Sequence, residues 1–496
     1  MDRIRSLLMM LRKQAPLSLR VNLGRLRARV SRHKVWDNAY FRETYDWLQE
    51  SQWWSMAQFE TYQLAQLQAL VRHAYENVPY YRRVFDAQKL KPRDIATLED
   101  LRKIPLLTKE DIRANAEELL ARNVDAARLK RDTTEGSTGE PLGVYHEHPT
   151  SQLREWAFYY RQWGWGGYRF GDRYVTLARH TIPLSDLDGT PAIWDYRTDF
   201  NELTLATAEM HDNNIRKFTN LIRKFRPRFM YIYPSSAEIL ARYLQRHQID
   251  DIKLDAVFSD SETLYPRTRD LIESQLGCRI FDHYGLTERV VDAVQCGQHE
   301  GYHINMEYGI QELVDEDGQP INEPGVLGTV VGTGFGSYAM PLLRYITSDL
   351  ASYAAGPCAC GRDTTLIAGF QGRVGDYLVS KTGRLVPVLL MVDGHTPVWP
   401  KIREIRMRQE REGELTAMVV AVPAFDEQEV VSELQEELYR ILGREQFDVR
   451  IKLVDRIPRT GSRGKWQLLE QKLSLRFSDV RESRREENAT PHQMVE

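Results

Sequence analysis

Eight residues, Thr134 to Pro141, read T-E-G-S-T-G-E-P and hold two glycines and three hydroxyl side chains ahead of a closing proline. Glycine lets backbone N–H groups converge and hydroxyls add donors, so a loop of this composition can cradle phosphate oxygens. The same residues also build ordinary surface turns, so the loop gains meaning only from partners elsewhere. Two polar turns close apolar runs: Asp260-Ser261-Glu262 follows 254–259, and Asp282-His283-Tyr284-Gly285 ends a run from Ile280. In a sheet with helices on its faces, ligands bind beyond the carboxyl ends of strands, which directs both turns to one crevice. The cysteines carry a second chemistry. Cys358-x-Cys360 places two thiols on a tight turn, and Cys296 with His303 supplies a third thiol and an imidazole. Three thiolates and an imidazole form the closed tetrahedral set of structural zinc. His299 is the alternative fourth ligand, buried free thiols are the alternative to a metal, and Cys278 is expected in the core.

The elements that must position these groups follow from periodicity. Residues 36–120 read as helical, with a stop at Val78, which Pro79 pushes out of the helical region. Thr97 and Thr108 each stand as N-caps with an acid in the next turn. Between 151 and 276 helical stretches (214–225, 235–245) alternate with short apolar runs (173–178, 229–234, 254–259), and a further run follows at 280–285. Such alternation predicts an α/β sheet with helices on its faces. Residues 308–356 turn β-rich, with glycine turns at Glu316-Asp317-Gly318 and Pro324-Gly325, and 370–376 has linker composition. A compact α+β pattern follows: a strand at 416–422, a helix at 426–442 and a strand at 448–454. The fold class expected is a large α/β N-terminal domain with a helical N-terminal extension and a β-rich subdomain, plus a small α+β C-terminal domain. The expected boundaries are a basic helical extension over 1–60, the large domain over 61–374, a small mobile domain over 375–476 and a disordered tail over 477–496.

Composition narrows the function classes. A net charge of −3 gives no argument for nucleic-acid binding, and no apolar run approaches the ~18 residues of a spanning helix. Four cysteines in 496 residues are too few for a disulfide framework, so a reduced, cytoplasmic protein is expected. The first 34 residues hold ten Lys/Arg against the single acid Asp2, with leucines between them. That segment reads either as a solvated basic helix or as a peripheral contact with an anionic membrane or a partner protein. Its apolar stretch, 6–11, is too short for a signal peptide.

The motifs, in this order and spacing, resemble an adenylate-forming ligase, in the phenylacetate–CoA ligase branch that includes coenzyme F390 synthetase-like and capsule-cluster proteins. T-E-G-S-T-G-E-P is similar to the phosphate loop of that family, and Tyr284-Gly285-Leu286-Thr287-Glu288 to its Y-G-x-T-E motif. The stretch 343–350 resembles its ribose-binding segment, Gly372-Arg373-x-x-Asp376 its hinge, and 458–465 its C-terminal lysine motif. The stretches 73–81 and 97–112 resemble the branch rather than the wider superfamily. The adenylate-forming enzyme fold is implied, with ATP, Mg2+ and a carboxylic acid as ligands and CoA as acceptor. The alternative acceptor is an amine or hydroxyl, as in surface-polysaccharide chemistry. A non-catalytic nucleotide-binding scaffold is the reading from another class.

The resemblance also implies roles. Thr134, Gly136, Ser137, Thr138 and Gly139 would hold the β- and γ-phosphates, Thr287 would approach the α-phosphate, and Glu288 would hold Mg2+. Tyr284 and Gly285 would meet adenine, with Ser261 and Glu262 lining the same pocket. Asp349 would accept the ribose hydroxyls, with Arg373 beside them and Asp376 at the pivot between domain orientations. Lys465 would bridge the carboxylate and α-phosphate. Glu135 stands where the family has serine. A carboxylate about 4 Å from a phosphate charge costs about 4 kcal/mol at an effective dielectric near 20, so Glu135 is expected to point away from ATP. Tyr231 to Ser236 and Asp282 to Tyr284 suggest an aromatic or amphipathic acid.

Overall fold

The computed structural model describes residues 35–134, 142–179, 182, 192–197, 200–207, 210–388, 398–458, 467–473 and 475. The basic segment 1–34, Glu135, Gly136, Ser137, Thr138, Gly139, Lys465 and the tail from 477 lie outside the described residues.

The helical start contains α1 (Ala39–Ser51), α2 (Met56–Asn77) and α3 (Pro79–Ala87). Ser55 and Gln58 form a reciprocal capping box at the start of α2, which stops where expected, with Val78 extended at φ −110° and ψ 111° ahead of Pro79. Thr108 caps α4 (Lys109–Ala114) and Asp111 returns the bond. At Thr97 the cap hydrogen bond from Asp100 N is present at 3.3 Å, but only a short 3-10 turn, Glu99–Lys103, follows it.

A hairpin of β1 (Leu129–Thr133) and β2 (Gly143–Glu147) leads into α5 (Thr150–Trp165). The chain then builds β3 (Tyr174–Arg179), β4 (Trp194–Arg197), β5 (Glu202–Ala206), α6 (Asp212–Phe225), β6 (Phe229–Ile232), α7 (Pro234–Arg246), β7 (Ala256–Ser259), α8 (Pro266–Leu276) and β8 (Arg279–Gly285). β5, β3, β6, β7 and β8 run parallel in that order, as β-α-β connections require. All four residues of β7 are buried, the mark of a strand covered on both faces. Phe218, Leu240 and Leu244 of α6 and α7 cover one face. On the other, Trp163 of α5 stacks on Phe258 with centroids 4.9 Å apart.

Beyond β8 the sheet turns antiparallel through β9 (Asp292–Val294), β10 (Tyr302–Ile304), β11 (Gly309–Val314), β12 (Gly328–Gly334), β13 (Tyr345–Tyr353) and β14 (Leu366–Arg373). The full order is β11-β12-β13-β14-β10-β9-β8-β7-β6-β3-β5-β4, so β8 has a parallel neighbour on one side and an antiparallel one on the other. The start of the segment with linker composition is strand, not linker: Phe370 pairs with Ala351 and Arg373 with Asp349. Gly372 then breaks the strand at φ +77°, where an added Cβ would lie 2.7 Å from the Asp376 carboxylate.

A second sheet, β19-β18-β17-β20, is made by β17 (Ile402–Arg411), β18 (Glu414–Ala421), β19 (Asp448–Leu453) and β20 (Leu469–Gln471). It packs on α9 (Glu427–Leu442), which Asp426 caps, after a small hairpin of β15 (Tyr377–Val379) and β16 (Leu385–Pro387). No helix among the described residues is long and apolar enough to cross a membrane.

Candidate active site

The polar residues converge beyond the carboxyl end of β8, where the sheet changes from parallel to antiparallel. Tyr284 donates its hydroxyl to Asp349 Oδ2 at 2.7 Å, and Arg373 Nε donates to Asp349 Oδ1 at 2.8 Å. Asp349 is fixed in turn by its own N–H, which donates to Thr347 Oγ1 at 3.0 Å, just before the register of β13 shifts against β14. Each Asp349 oxygen keeps a lone pair for a further donor. Burial, reinforced by Asp349, pushes the Tyr284 phenol well above its ordinary range, so it stays a donor. The Tyr284 ring is already stacked on Phe370, with centroids 3.6 Å apart and planes at 13°, so one ring face at most is free for a base. Asp376 Oδ2 accepts from Arg373 N at 2.7 Å, which ties the ion pair to the strand break at Gly372.

Glu288, 7% exposed, receives the Tyr345 hydroxyl on Oε1 at 2.7 Å. No second side-chain partner is described for it, and a buried carboxylate with one donor keeps oxygen lone pairs that could hold Mg2+. Its turn lies against β12, where a Cβ on Gly334 would come within 2.2 Å of the Arg289 carbonyl. One residue that the sequence reading did not single out belongs here: Lys109, first residue of α4. The strand-like segment before it exchanges backbone hydrogen bonds with β13 (Leu107 N to Arg344 O, 3.0 Å; Ile346 N to Leu107 O, 2.9 Å), and Lys109 Nζ reaches Ser348 Oγ at 3.0 Å. Burial, and next Arg373, lower its pKa, while Glu288 and Asp349 oppose them. A lysine in a helix's first turn opposes the helix dipole, which was the available signal that something else holds it there.

The phosphate-type loop joins β1 to β2. Its mouth is pinned by Thr134 N to Leu142 O at 2.8 Å and Leu142 N to Thr134 Oγ1 at 2.9 Å. From β2, buried His146 donates Nε2–H to the Thr287 carbonyl at 2.9 Å, which couples this hairpin to the Y-G-L-T-E turn. Burial, then Arg289, lowers His146 from 6.5 to about 4. The unfolded chain therefore binds this proton more readily, and stability rises with pH between those two values. Acidification through that window is expected to remove about 3 kcal/mol. Urea midpoints at pH 4.5 and pH 7 for the native chain and His146→Gln check this, and parallel pH profiles would reject it.

Ser261, at φ +69°, is exposed at the end of β7, whereas Glu262 turns back to accept from Ser235 N at 3.0 Å at the start of α7. The Cys/His set is gathered as expected: ligand atoms of Cys296, His303, Cys358 and Cys360 all lie within 4.8 Å of one another. Cys296 Sγ is 3.5 Å from Cys358 Sγ, and Cys360 Sγ is 3.3 Å from His303 Nε2. A tetrahedral site with metal–sulfur bonds of about 2.3 Å needs edges of about 3.8 Å, so the set fits zinc after small adjustments. His303 Nδ1 meets Thr364 Oγ1 at 2.8 Å, which orients Nε2 toward the thiols. His299 is outside the set and packs edge-on against Phe281. Cys278 is half-buried at the rim of the α6/α7 core.

No family model matches the chain. The phenylacetate-coenzyme A ligase of Thermus thermophilus is 28% identical over 404 residues, spanning 76% of this chain and 82% of the relative. Protein CapK of Staphylococcus aureus is 23% identical over 389 residues, 78% of this chain and 83% of its own length. In three dimensions the chain is similar to 2-hydroxyisobutyryl-CoA ligase in the postadenylation state, with a TM-score of 0.65 at 18% identity, covering 89% of this chain and 94% of that one.

Proposed function

We propose that this chain, similar to phenylacetate–CoA ligases in sequence and to an acyl-CoA ligase in fold, is an adenylate-forming enzyme that activates a carboxylic acid with ATP and passes the acyl group to CoA. In the first step the carboxylate oxygen bonds to the α-phosphorus and the α–β bond breaks, releasing pyrophosphate. In the second the CoA sulfur bonds to the acyl carbon and AMP leaves. The observation that carries this reading is the convergence of Tyr284, Glu288, Asp349, Arg373 and Lys109 beyond β8. Carboxylate attack on a polyphosphate brings anions together, so fixed cations and donors account for the rate gain.

Asp349 takes the ribose, steadied by Arg373, and Tyr284 flanks the base. Glu288 would hold Mg2+, which supplies charge neutralisation on the phosphates when bound. Thr134 and its loop take the departing pyrophosphate, Thr287 takes the α-phosphate, and Lys109 adds a cation to the one that the C-terminal motif assigns to Lys465. The Cys296–His303–Cys358–Cys360 set holds a structural zinc ion. Acid-dependent exchange of labelled pyrophosphate into ATP tests the first step. Lys465→Ala is expected to lower it about 100-fold, the range for losing one preorganised group, and Lys109→Ala less, about 10-fold, because burial and Arg373 already disfavour its charge. Exchange without CoA consumption would move the acceptor to an amine or hydroxyl, and no exchange with a broad acid panel would sink the proposal.

A further inference from the structure

Behind the nucleotide side of β8 lies a second group of polar side chains. Tyr284 and His283 are neighbours on the strand and point to opposite faces. Tyr284 turns to Asp349, while His283 turns to α5, where its ring packs on Tyr159 with centroids 4.4 Å apart. On the far edge of Tyr159, its hydroxyl donates to Asp260 Oδ2 at 3.0 Å, and Tyr231 of β6 donates to the same oxygen at 2.5 Å. His283 Nε2–H donates to Asp292 Oδ2 at 2.7 Å. Glu155, one turn before Tyr159, accepts from Tyr308 at 2.7 Å.

Two atoms in this group have no partner. Asp260 is 4% exposed and His283 6%, yet Asp260 Oδ1 and His283 Nδ1 are both buried and unbonded. Burial opposes the charge on His283, but Asp292, Asp260 and Glu155 outweigh it and raise its pKa to about 9, so Nδ1 carries a proton to donate. The group is thus missing one acceptor and one donor, on either side of a single tyrosine. Glu155, Tyr159 and Tyr231 of this group are only half-buried, and Ser261 and Gly285, next along the chain to Asp260 and Tyr284, are exposed.

On the adenylation reading above, we propose that this is the acyl pocket and that the substrate is a hydroxylated carboxylic acid, its hydroxyl donating to Asp260 Oδ1 and accepting from His283 Nδ1–H. A purely apolar acid would leave both buried groups unpaired. An ammonium-bearing acid would pair with Asp260 but face the His283 cation. The carboxyl group leaves this group at the carboxyl end of β8, past exposed Ser261 and Gly285.

Pyrophosphate exchange with matched acids tests this: phenylacetate against 4-hydroxyphenylacetate, butyrate against 3-hydroxybutyrate, and 4-aminobutyrate as the cationic control. A site built to bond a substrate hydroxyl rejects the analogue without it, so at least one hydroxylated member is expected to exceed its partner by about 100-fold in kcat/KM. Asp260→Asn and His283→Gln are expected to shrink that ratio below about 10, with KM for ATP unchanged. Equal use of both members, preference for the amine, or an unchanged ratio in the variants would overturn the inference while leaving adenylation standing. Exchange with no acid at all would overturn adenylation itself. If either variant fails to fold, Tyr231→Phe, which removes one donor from Asp260, and the comparison on the native chain still decide it.

Discussion

Asp349→Ala is expected to lower kcat/KM for ATP in pyrophosphate exchange by about 1000-fold, or about 4 kcal/mol. The lower ends of three losses sum to that figure. Tyr284 loses a charged acceptor for a buried hydroxyl, worth about 1.5–3 kcal/mol. The Arg373 pair contributes less, about 1 kcal/mol, because the guanidinium side chain is 38% exposed and water screens it. The ribose contact proposed for the carboxylate adds a charge-assisted hydrogen bond of about 1.5–3 kcal/mol. Tyr284→Phe keeps the stack on Phe370 and removes only the hydroxyl, so about 10-fold is expected there. The double variant should cost less than the product of the two, since both remove one hydrogen bond. A loss under about 10-fold for Asp349→Ala would mean that this carboxylate orders β13 and β14 without serving the nucleotide.

What could be read in the sequence divides along physical lines. β6, β7 and β8 are short apolar runs between helical patterns, and α6 and α7 fall within two residues of their expected limits. The stop at Val78 and the cap at Thr108 are local chemistry, legible from a proline and a hydroxyl. β9 and β10 are not legible in this way. Each has three residues, too few to show a period, and each is defined by the neighbours that pair with it. Phe370 read as linker because glycines surround it, yet its ring between Tyr284 and Tyr302 makes it part of the sheet. The site divides the same way. Tyr284, Glu288, Asp349 and Arg373 were visible as motifs, and the structure brings them together. Lys109 was hidden because it comes from a segment 239 residues away from Ser348. The pairing of Asp260 with Tyr159 and Tyr231 was hidden too, since it joins three elements that show nothing of it in their own sequence.

Purified chain is expected to carry about one zinc per molecule, and Cys358→Ser to lose the metal and about 10 °C in Tm. The cluster joins two parts of the antiparallel half of the sheet that are far apart in sequence and adjacent in space. Cys296 follows β9 and His303 lies in β10, while Cys358 and Cys360 sit on the turn between β13 and β14. β9 and β10 are short strands, and β10 shares only two residue pairs with β14, so hydrogen bonding alone holds them weakly. A metal joining both sides would supply the missing constraint, and its binding energy would be folding energy. The effect should reach the candidate active site, because β9 pairs directly with Tyr284 and Gly285 of β8. Loss of zinc is therefore expected to reduce pyrophosphate exchange along with stability, although none of the four ligands touches the nucleotide residues. Cys278→Ser is the control, expected to keep both metal and exchange. A metal content near zero in protein purified without chelators, or Cys358→Ser with unchanged Tm, would return these residues to the status of buried thiols.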